Sequence, residues 1–165
     1  MLADLGAAAV HLQAQTFERL VIGQIMETQG PAAGQDPLAH YLNVVSDKTG
    51  SLISASAQFG AMLAGAPADI VTALAIFGEK IGITFQLADD VIDISSESKE
   101  SGKTPGTDLK EGVPTLVTLN VMKSTRSEDR ELQELLKGPI AEQEVVNQVL
   151  ACLLYTSDAA DEEDS

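Results

Sequence analysis

Apolar residues recur at the spacing of an α-helix along almost the whole chain. No segment shows four or more clean alternations of apolar and polar residues bounded by turn residues, and aromatic residues make up only 4% of the chain. This pattern excludes a fold based on strands and predicts an all-α protein. At 165 residues and 44% hydrophobic composition, the chain is long enough for one domain with its own core.

Turn and capping residues divide this pattern into predicted helices. Asp36-Pro37 offers an N-cap followed by proline at the first helical position, and Gly65 is expected to end that helix. The apolar stripe of the first helix is expected to be formed by Val10, Ala14, Phe17, Leu20, Val21 and Ile25. The predicted helices span residues 4–28, 37–64, 67–94, 114–122 and 125–137, with a last one beginning near 140. Residues 95–112, rich in Ser, Gly, Lys and Asp, are predicted to form a long functional loop.

The acidic composition limits the partners of the chain. Ten basic residues against 25 acidic ones give a formal net charge of -15, which argues against nucleic acid as a partner. No apolar run reaches the length of about 18–20 residues that a membrane-spanning helix requires, and residues 1–15 lack the features of a secretory signal, so we expect a cytoplasmic protein without a transmembrane segment. Cys152 is the single cysteine and cannot form an internal disulfide.

One cluster of carboxylates stands out within the predicted helix 67–94. Asp89 and Asp93 lie one turn apart on the same helix face, with Asp90 beside them and Gln86 one turn earlier. Like charges in apolar surroundings repel each other unless protons or cations neutralise them, and oxygen ligands of this kind suit Mg²⁺. An isolated Asp-Asp-x-x-Asp is also typical of the solvated face of an amphipathic helix, so the motif alone leaves both interpretations open.

Phosphate-binding residue types accompany the aspartates. Lys48-Thr49 lies in the second predicted helix, and the loop after the aspartates contains Gly102-Lys103 and Gly106-Thr107-Asp108. Lysines and hydroxyls donate to phosphate oxygens, and glycines let a backbone approach them. Together with the carboxylates, these residues indicate a site for a metal and a diphosphate. His11 and His40 have no acid or nucleophile at catalytic spacing, so we expect surface or packing roles for them.

The segments KTGSLISAS, FQLADDVID and GKTPGTDL, in this order and spacing, resemble the carboxyl-terminal half of trans-isoprenyl (polyprenyl) diphosphate synthases of the bacterial type. The resemblance covers about residues 2–149. It implies the isoprenoid-synthase helical barrel, here incomplete because the amino-terminal helices are missing. Residues 1–150 are accordingly interpreted as the carboxyl-terminal part of a polyprenyl synthase domain.

The resemblance also implies roles for individual residues. Metal binding through Mg²⁺ is expected of Asp89, Asp90, Asp93 and Asp108. Catalytic and substrate-binding roles are expected of Lys48, Thr49 and Lys103, and further substrate contacts are expected of Gln24 and Gln86. The implied reaction is the condensation of isopentenyl diphosphate with an allylic diphosphate, through Mg²⁺-dependent ionisation, attack on the carbocation and loss of a proton. A full-length protein of this kind is expected to be a homodimer.

The chain also departs from the family pattern. The sequence contains one Asp-Asp-x-x-Asp, at Asp89, whereas the family has two aspartate-rich motifs. We therefore expect this chain to be a fragment with little or no activity alone. Residues 151–165 are interpreted as an artefactual or disordered acidic tail, since CLLYTSDAADE resembles the translation of a transposase-type sequencing adapter.

Two other functions are compatible with a helical scaffold of this kind. The first is a non-catalytic subunit or regulator that pairs with a complete synthase, although a scaffold has no need for clustered aspartates and lysines. The second is a terpene cyclase of the same broad fold, although the lysine pair and the aspartate triad differ from the usual cyclase pattern.

Overall fold

The computed structural model describes residues 6–95 and 105–163, with side chains as far as Leu154. Within these ranges the chain is helical and contains no strand, which confirms the predicted all-α class. The principal helices are α1 (Ala7–Gln29), α2 (Pro37–Val45), α3 (Ser51–Leu63), α4 (Ala68–Ser95), α5 (Thr107–Glu111), α6 (Leu116–Lys123), α7 (Arg130–Leu135) and α8 (Gln143–Glu163). The chain divides into two compact units, Met1–Gln86 and Leu87–Ser165.

In the first unit, α1 packs on α2, on α3 and on the segment between them. Asp36 caps α2 by accepting from the backbone N–H of Leu38 at 3.2 Å, and Pro37 occupies the first turn, as predicted. The helix predicted over 37–64 is not continuous, because Ser46–Gly50 forms a π-helical turn, here called the π turn, that separates α2 from α3. A π turn contains one residue more than an α-helical turn, so apolar periodicity alone does not reveal it.

Glycines bring the helices of the first unit into close backbone contact. A Cβ atom on Gly82 of α4 would lie 2.8 Å from Gly50 Cα, and one on Gly78 would lie 2.8 Å from Ser54 Cα. A Cβ on Gly23 of α1 would lie 2.9 Å from Asp47 Cβ. The π turn is therefore held between two helices at a separation that only glycine permits.

The apolar stripe predicted on α1 is largely exposed in this chain. Val10, Phe17, Val21 and Ile25 are 39–66% exposed. On α4, Phe77 and Phe85 are also more than half exposed. The spacing of these residues is helical, but the helical faces that they form are not covered in this chain.

The second unit has an apolar core that is assembled from several short helices. Val146, Val149 and Leu153 of α8 are almost fully buried. The rest of this core consists of Ile94, Leu109, Val121, Leu132 and Ile140. Since Leu153 belongs to the core, α8 continues past residue 150, where the acidic tail is predicted to begin. The nature of that tail stays a prediction.

The connections of the second unit differ from the predicted ones. Residues 107–111, predicted as part of a loop, form α5, which begins after Gly106 at a φ of 76°. A capping box begins α6 at Thr115, whose hydroxyl accepts from the N–H of Thr118, while the Thr118 hydroxyl accepts from the N–H of Thr115. Residues 125–137 contain a 3₁₀ turn, Ser127–Asp129, followed by α7.

Among the described residues, α4 is long and apolar enough to cross a membrane by length and composition. The prediction that no apolar run is long enough to span a membrane is therefore wrong for α4. A single helix of this kind is weak evidence for a membrane span. Only 11% of its most apolar window is buried, whereas a core helix of a soluble protein that meets the same criterion is mostly buried. Within α4, Glu79 forms an ion pair with Arg19 of α1. The absence of a transmembrane segment stays a prediction.

Candidate functional site

Lys48 lies in the π turn and is bound by a carboxylate. Its Nζ donates to Glu27 Oε2 at 2.6 Å, and the same oxygen accepts from Gln24 Nε2 at 3.0 Å. The side chains of Lys48 and Glu27 are both about one-third exposed. The structure thus brings the predicted residues Lys48 and Gln24 together around Glu27, which was not among the predicted site residues.

Thr49, the next residue of the π turn, contacts another predicted residue. Its Oγ1 donates to Gln86 Oε1 at 3.2 Å. Both side chains are half-buried. The π turn therefore directs Lys48 towards α1 and Thr49 towards α4, and π-helical turns of this kind are frequent at functional sites.

Arg19 of α1 joins the π turn to α4. Its Nε donates to Asp47 Oδ1 at 2.8 Å, and its Nη2 donates to Ser46 Oγ at 2.9 Å and to Glu79 Oε1 at 2.7 Å. The Ser46 hydroxyl also donates to Glu79 Oε1 at 2.6 Å. The bonds from Arg19 and Ser46 lower the pKa of Glu79 and keep it ionised.

Neither this ion network nor the glycines beside it were predicted from the sequence. Arg19 is a charged residue within the apolar first helix, and Glu79 interrupts the most apolar segment of the chain. Gly78 and Gly82 are four residues apart and so lie on one face of α4. The glycines at helical spacing beside Glu79 could have indicated a close approach to α4, but no local signal pairs Glu79 with Arg19.

The second unit contains the aspartates predicted to bind metal. Asp90 and Asp93 are 4% and 9% exposed, and Asp89 is half-buried. Asp90 Oδ2 accepts from the backbone N–H of Leu116 at 3.2 Å, at the start of α6, where a carboxylate also interacts favourably with the helix dipole. Gly106 N–H donates to the carbonyl of Asp93 at 3.2 Å, which attaches the start of α5 to the end of α4.

Asp108 of α5 lies in the field of these carboxylates. Its pKa is raised from 3.8 to about 6, mainly by burial and in addition by the negative charges of Asp93, Asp90, Glu111 and Asp89. The structure thus brings together the predicted metal ligands Asp89, Asp90, Asp93 and Asp108 closely enough for mutual repulsion. Clustered carboxylates are the donor set of a hard divalent cation such as Mg²⁺, so their chemistry fits that ion.

The aspartates are not arranged as a finished coordination sphere. Over residues 6–95 and 105–163, no three Asp, Glu, His or Cys side chains form a group that could hold a metal ion. The assignment of Asp89, Asp90, Asp93 and Asp108 as metal ligands is therefore still a prediction. Lys103, the second predicted lysine, lies outside the described residues.

The two histidines have the surroundings expected of non-catalytic residues. His11 is exposed on α1. His40 is 9% exposed, and its Nε2 donates to the carbonyl oxygen of Met26 at 3.1 Å, linking α2 to α1. Such a contact gives His40 a packing role.

Comparison with known proteins places these residues in a family context. The family model described as polyprenyl synthetase matches residues 1–153. The chain is 44% identical over 153 residues to a nonaprenyl diphosphate synthase from Mycobacterium tuberculosis, covering 93% of this chain and 46% of that protein. It is 40% identical over 141 residues to a dimethylallyltranstransferase from the same organism, covering 86% of this chain and 42% of that protein.

Solved structures give the same result. A geranylgeranyl pyrophosphate synthase from Corynebacterium glutamicum, complexed with calcium and isoprenyl diphosphate, matches with a TM-score of 0.84 and 44% identity, over 93% of this chain and 47% of that one. A decaprenyl diphosphate synthase from Rhodobacter capsulatus matches with a TM-score of 0.75 and 26% identity, over 92% of this chain and 47% of that one. The chain thus spans about half the length of the relatives it matches. It has the all-α isoprenyl synthase fold and belongs to the polyprenyl synthetase family.

Proposed function

We propose that this chain provides the allylic-diphosphate and metal half of a prenyltransferase, which condenses isopentenyl diphosphate with an allylic diphosphate in isoprenoid biosynthesis. The proposal is supported most directly by the clustering of four carboxylates in the second unit, where burial together with the negative charges of Asp93, Asp90 and Asp89 raises the pKa of Asp108 to about 6. A divalent cation relieves repulsion of this kind. Membership of a family of prenyl diphosphate synthases supports the same reaction class.

In the proposed mechanism, Asp89, Asp90, Asp93 and Asp108 hold Mg²⁺. When bound, Mg²⁺ supplies positive charge to the diphosphate that leaves. Lys48 and Lys103 donate to phosphate oxygens, and the Thr49 hydroxyl is a further donor. Gln24 and Gln86 supply further substrate contacts in this proposal. Gln24 donates to Glu27, the carboxylate that holds Lys48, and Gln86 accepts from Thr49.

The bond changes need no protein nucleophile. The allylic C–O bond breaks, and both of its electrons leave with the diphosphate. The double bond of isopentenyl diphosphate attacks the resulting carbocation, and a proton is lost from the product cation. Donors arranged before the reaction stabilise the developing negative charge of the leaving group, which is where Lys48, Thr49 and Lys103 contribute.

The 165-residue chain is proposed to have little or no turnover alone. It spans 46% of the nonaprenyl diphosphate synthase and contains one aspartate-rich motif. We propose from the family resemblance that a complete protein is a homodimer. The absence of a nucleic-acid partner is proposed from the net charge of -15, and the cytoplasmic location stays a prediction.

The experiment that tests this function measures binding rather than turnover. Inorganic pyrophosphate is titrated into the chain by calorimetry, with and without Mg²⁺. We expect binding that requires Mg²⁺ and weakens about tenfold or more in Asp89→Asn and in Lys48→Met, since charged hydrogen-bonding partners contribute roughly 1.5–3 kcal/mol each. Glu131→Gln, at an exposed carboxylate of α7, is the matched control. Binding that is unaffected by Asp89→Asn and Lys48→Met would overturn the proposal.

A turnover assay with both diphosphates and Mg²⁺ tests the proposal that the chain has little or no activity alone. Full turnover by the chain alone would contradict its assignment as a half-site. Co-purification with a complete synthase, whose activity is unchanged by Asp89→Ala, would instead favour the non-catalytic subunit.

A further inference from the structure

The Arg19 guanidinium, on α1, contacts three residues in two other elements of the first unit, the π turn and α4. Its donors reach Asp47 and Ser46 in the π turn and Glu79 in α4. A guanidinium has a planar fork of donors, which can satisfy several acceptors in fixed directions at once. The Arg19 side chain is 36% exposed, and those of Asp47 and Glu79 are 23% and 35% exposed, so this network is only partly screened by water.

The π turn needs such support. A π-helical turn has poorer geometry than an α-helical one and persists where its surroundings fix it. Here Arg19 binds the first two residues of the turn, Ser46 and Asp47, and the next two residues are Lys48 and Thr49. Gly23, on the same helix as Arg19, approaches Lys48 Cγ so closely that a Cβ would lie 3.0 Å from it. The position of Lys48 is thus set by contacts with α1 on both sides.

Arg19 also controls the charge beside Lys48. The carboxylate of Asp47 is adjacent to Lys48 in the chain and is held by Arg19 Nε at 2.8 Å. Without that bond, Asp47 is free to turn towards the Lys48 ammonium and to repel an approaching anion. Arg19 therefore both fixes the turn and neutralises a competitor for the lysine.

We propose that Arg19 is a positioning residue for the diphosphate-binding lysine, acting through Asp47, Ser46 and Glu79 to hold the π turn that presents Lys48 and Thr49. The inference rests on the proposed function, because it assumes that Lys48 binds a diphosphate. Arg19 itself makes no contact with the substrate in this proposal.

A double-mutant cycle separates positioning from a general structural role. The affinity for inorganic pyrophosphate with Mg²⁺ is measured for the unsubstituted chain, Arg19→Gln, Lys48→Met and the double variant. Coupled residues show interaction free energies that correspond to severalfold changes, so we expect Arg19→Gln to weaken binding about tenfold with Lys48 present and less than about twofold in Lys48→Met. Arg130→Gln, at an exposed arginine of α7, is the matched control and should bind as the unsubstituted chain.

The outcomes distinguish this inference from the proposed function. If the unsubstituted chain does not bind pyrophosphate, or if Lys48→Met binds equally well, the proposed function fails and the role of Arg19 fails with it. If Lys48→Met weakens binding but Arg19→Gln does not, or weakens it equally in both backgrounds, only the inference about Arg19 is overturned. Should Arg19→Gln unfold, Arg19→Lys replaces it in the same cycle, since lysine keeps the charge but lacks the fork.

Discussion

Lys48 Nζ lies 2.6 Å from Glu27 Oε2, so the lysine proposed to bind diphosphate is held by a carboxylate of α1. Glu27 also accepts from Gln24 at the same oxygen. An anionic ligand at Lys48 would therefore have to share the ammonium with Glu27 or displace it. The contact defines both the resting position of Lys48 and the negative charge that a diphosphate would meet there.

Replacing this carboxylate is expected to strengthen anion binding. Glu27→Gln keeps the shape of the side chain but removes one negative charge next to Lys48. Two unit charges about 4 Å apart in water, such as the Glu27 carboxylate and a phosphate oxygen bound at Lys48, would interact by about 1 kcal/mol. The affinity for Mg²⁺-pyrophosphate, measured by calorimetry, should therefore rise about two- to fivefold. Glu18→Gln, at an exposed residue of the same helix, should leave the affinity unchanged. Weaker binding by Glu27→Gln would mean that the carboxylate orients Lys48 for the ligand.

Asp108→Asn is expected to stabilise the metal-free protein at pH 7. The pKa of Asp108 is raised from 3.8 to about 6 on folding, so the folded protein binds its proton more tightly than the unfolded chain does. Stability is therefore lost as the pH rises from about 4 through about 6, where the folded carboxyl ionises among its acidic neighbours. Thermal unfolding at pH 7 without metal should give a higher midpoint for Asp108→Asn, and the difference should disappear below about pH 4. A lower midpoint at pH 7 would contradict the repulsion.

The pKa of Asp129, in the same unit, is shifted in the opposite direction from that of Asp108. Hydrogen bonds from the Ser124 hydroxyl and the Arg126 guanidinium lower its pKa, with Arg126 Nε 2.9 Å from Asp129 Oδ2. A lowered pKa contributes stability above the unfolded value, near 3.8, that is lost as the pH falls through the folded value. Asp129→Asn should lower the unfolding midpoint at pH 7, and the deficit should shrink under strongly acidic conditions. An unchanged midpoint at pH 7 would show that the contact with Arg126 adds nothing to stability.

Gly82→Ala tests the close approach of α4 to the π turn. Its Cβ would lie 2.8 Å from Gly50 Cα, and neither backbone can move aside cheaply. Overpacking of this kind typically costs about 1–3 kcal/mol of unfolding free energy, which urea denaturation would measure. Gly60→Ala on α3 is the control, because nothing lies within 4 Å of its Cβ, and it should gain up to about 1 kcal/mol from helix propensity. Equal effects of the two substitutions would argue against the close packing.

The local signals in the sequence predicted much of the fold. Asp36-Pro37 begins α2 and Gly65, at a φ of 70°, follows α3, because capping and left-handed glycine are decided by a few neighbouring atoms. The π turn and the burial of helix faces were not predictable in this way. Phe17 and Phe77 have core spacing yet are 66% and 60% exposed, since burial depends on which other segments cover a face.

In the candidate site, too, local features were predictable from the sequence and contacts between distant segments were not. The spacing of Asp89, Asp90 and Asp93 indicated the acidic cluster, and Asp108 lies near enough to be affected by all three. The partners Glu27 and Arg19 were missed, because they are distant in sequence from the residues they contact. A single sequence has no local signal for such pairs.

The extra residue in the π turn has a consequence for the phase of the helices around it. The π turn accommodates one residue more than an α-helical turn, so the side chains of α3 take each helix face one residue later in the sequence than they would in an uninterrupted α-helix. Deleting one residue of Ser46–Gly50 would remove the π turn although the composition would hardly change, and we expect it to displace Lys48 and Thr49 from their contacts with Glu27 and Gln86. The length of this segment is therefore as strict a requirement of the first unit as the identity of its lysine.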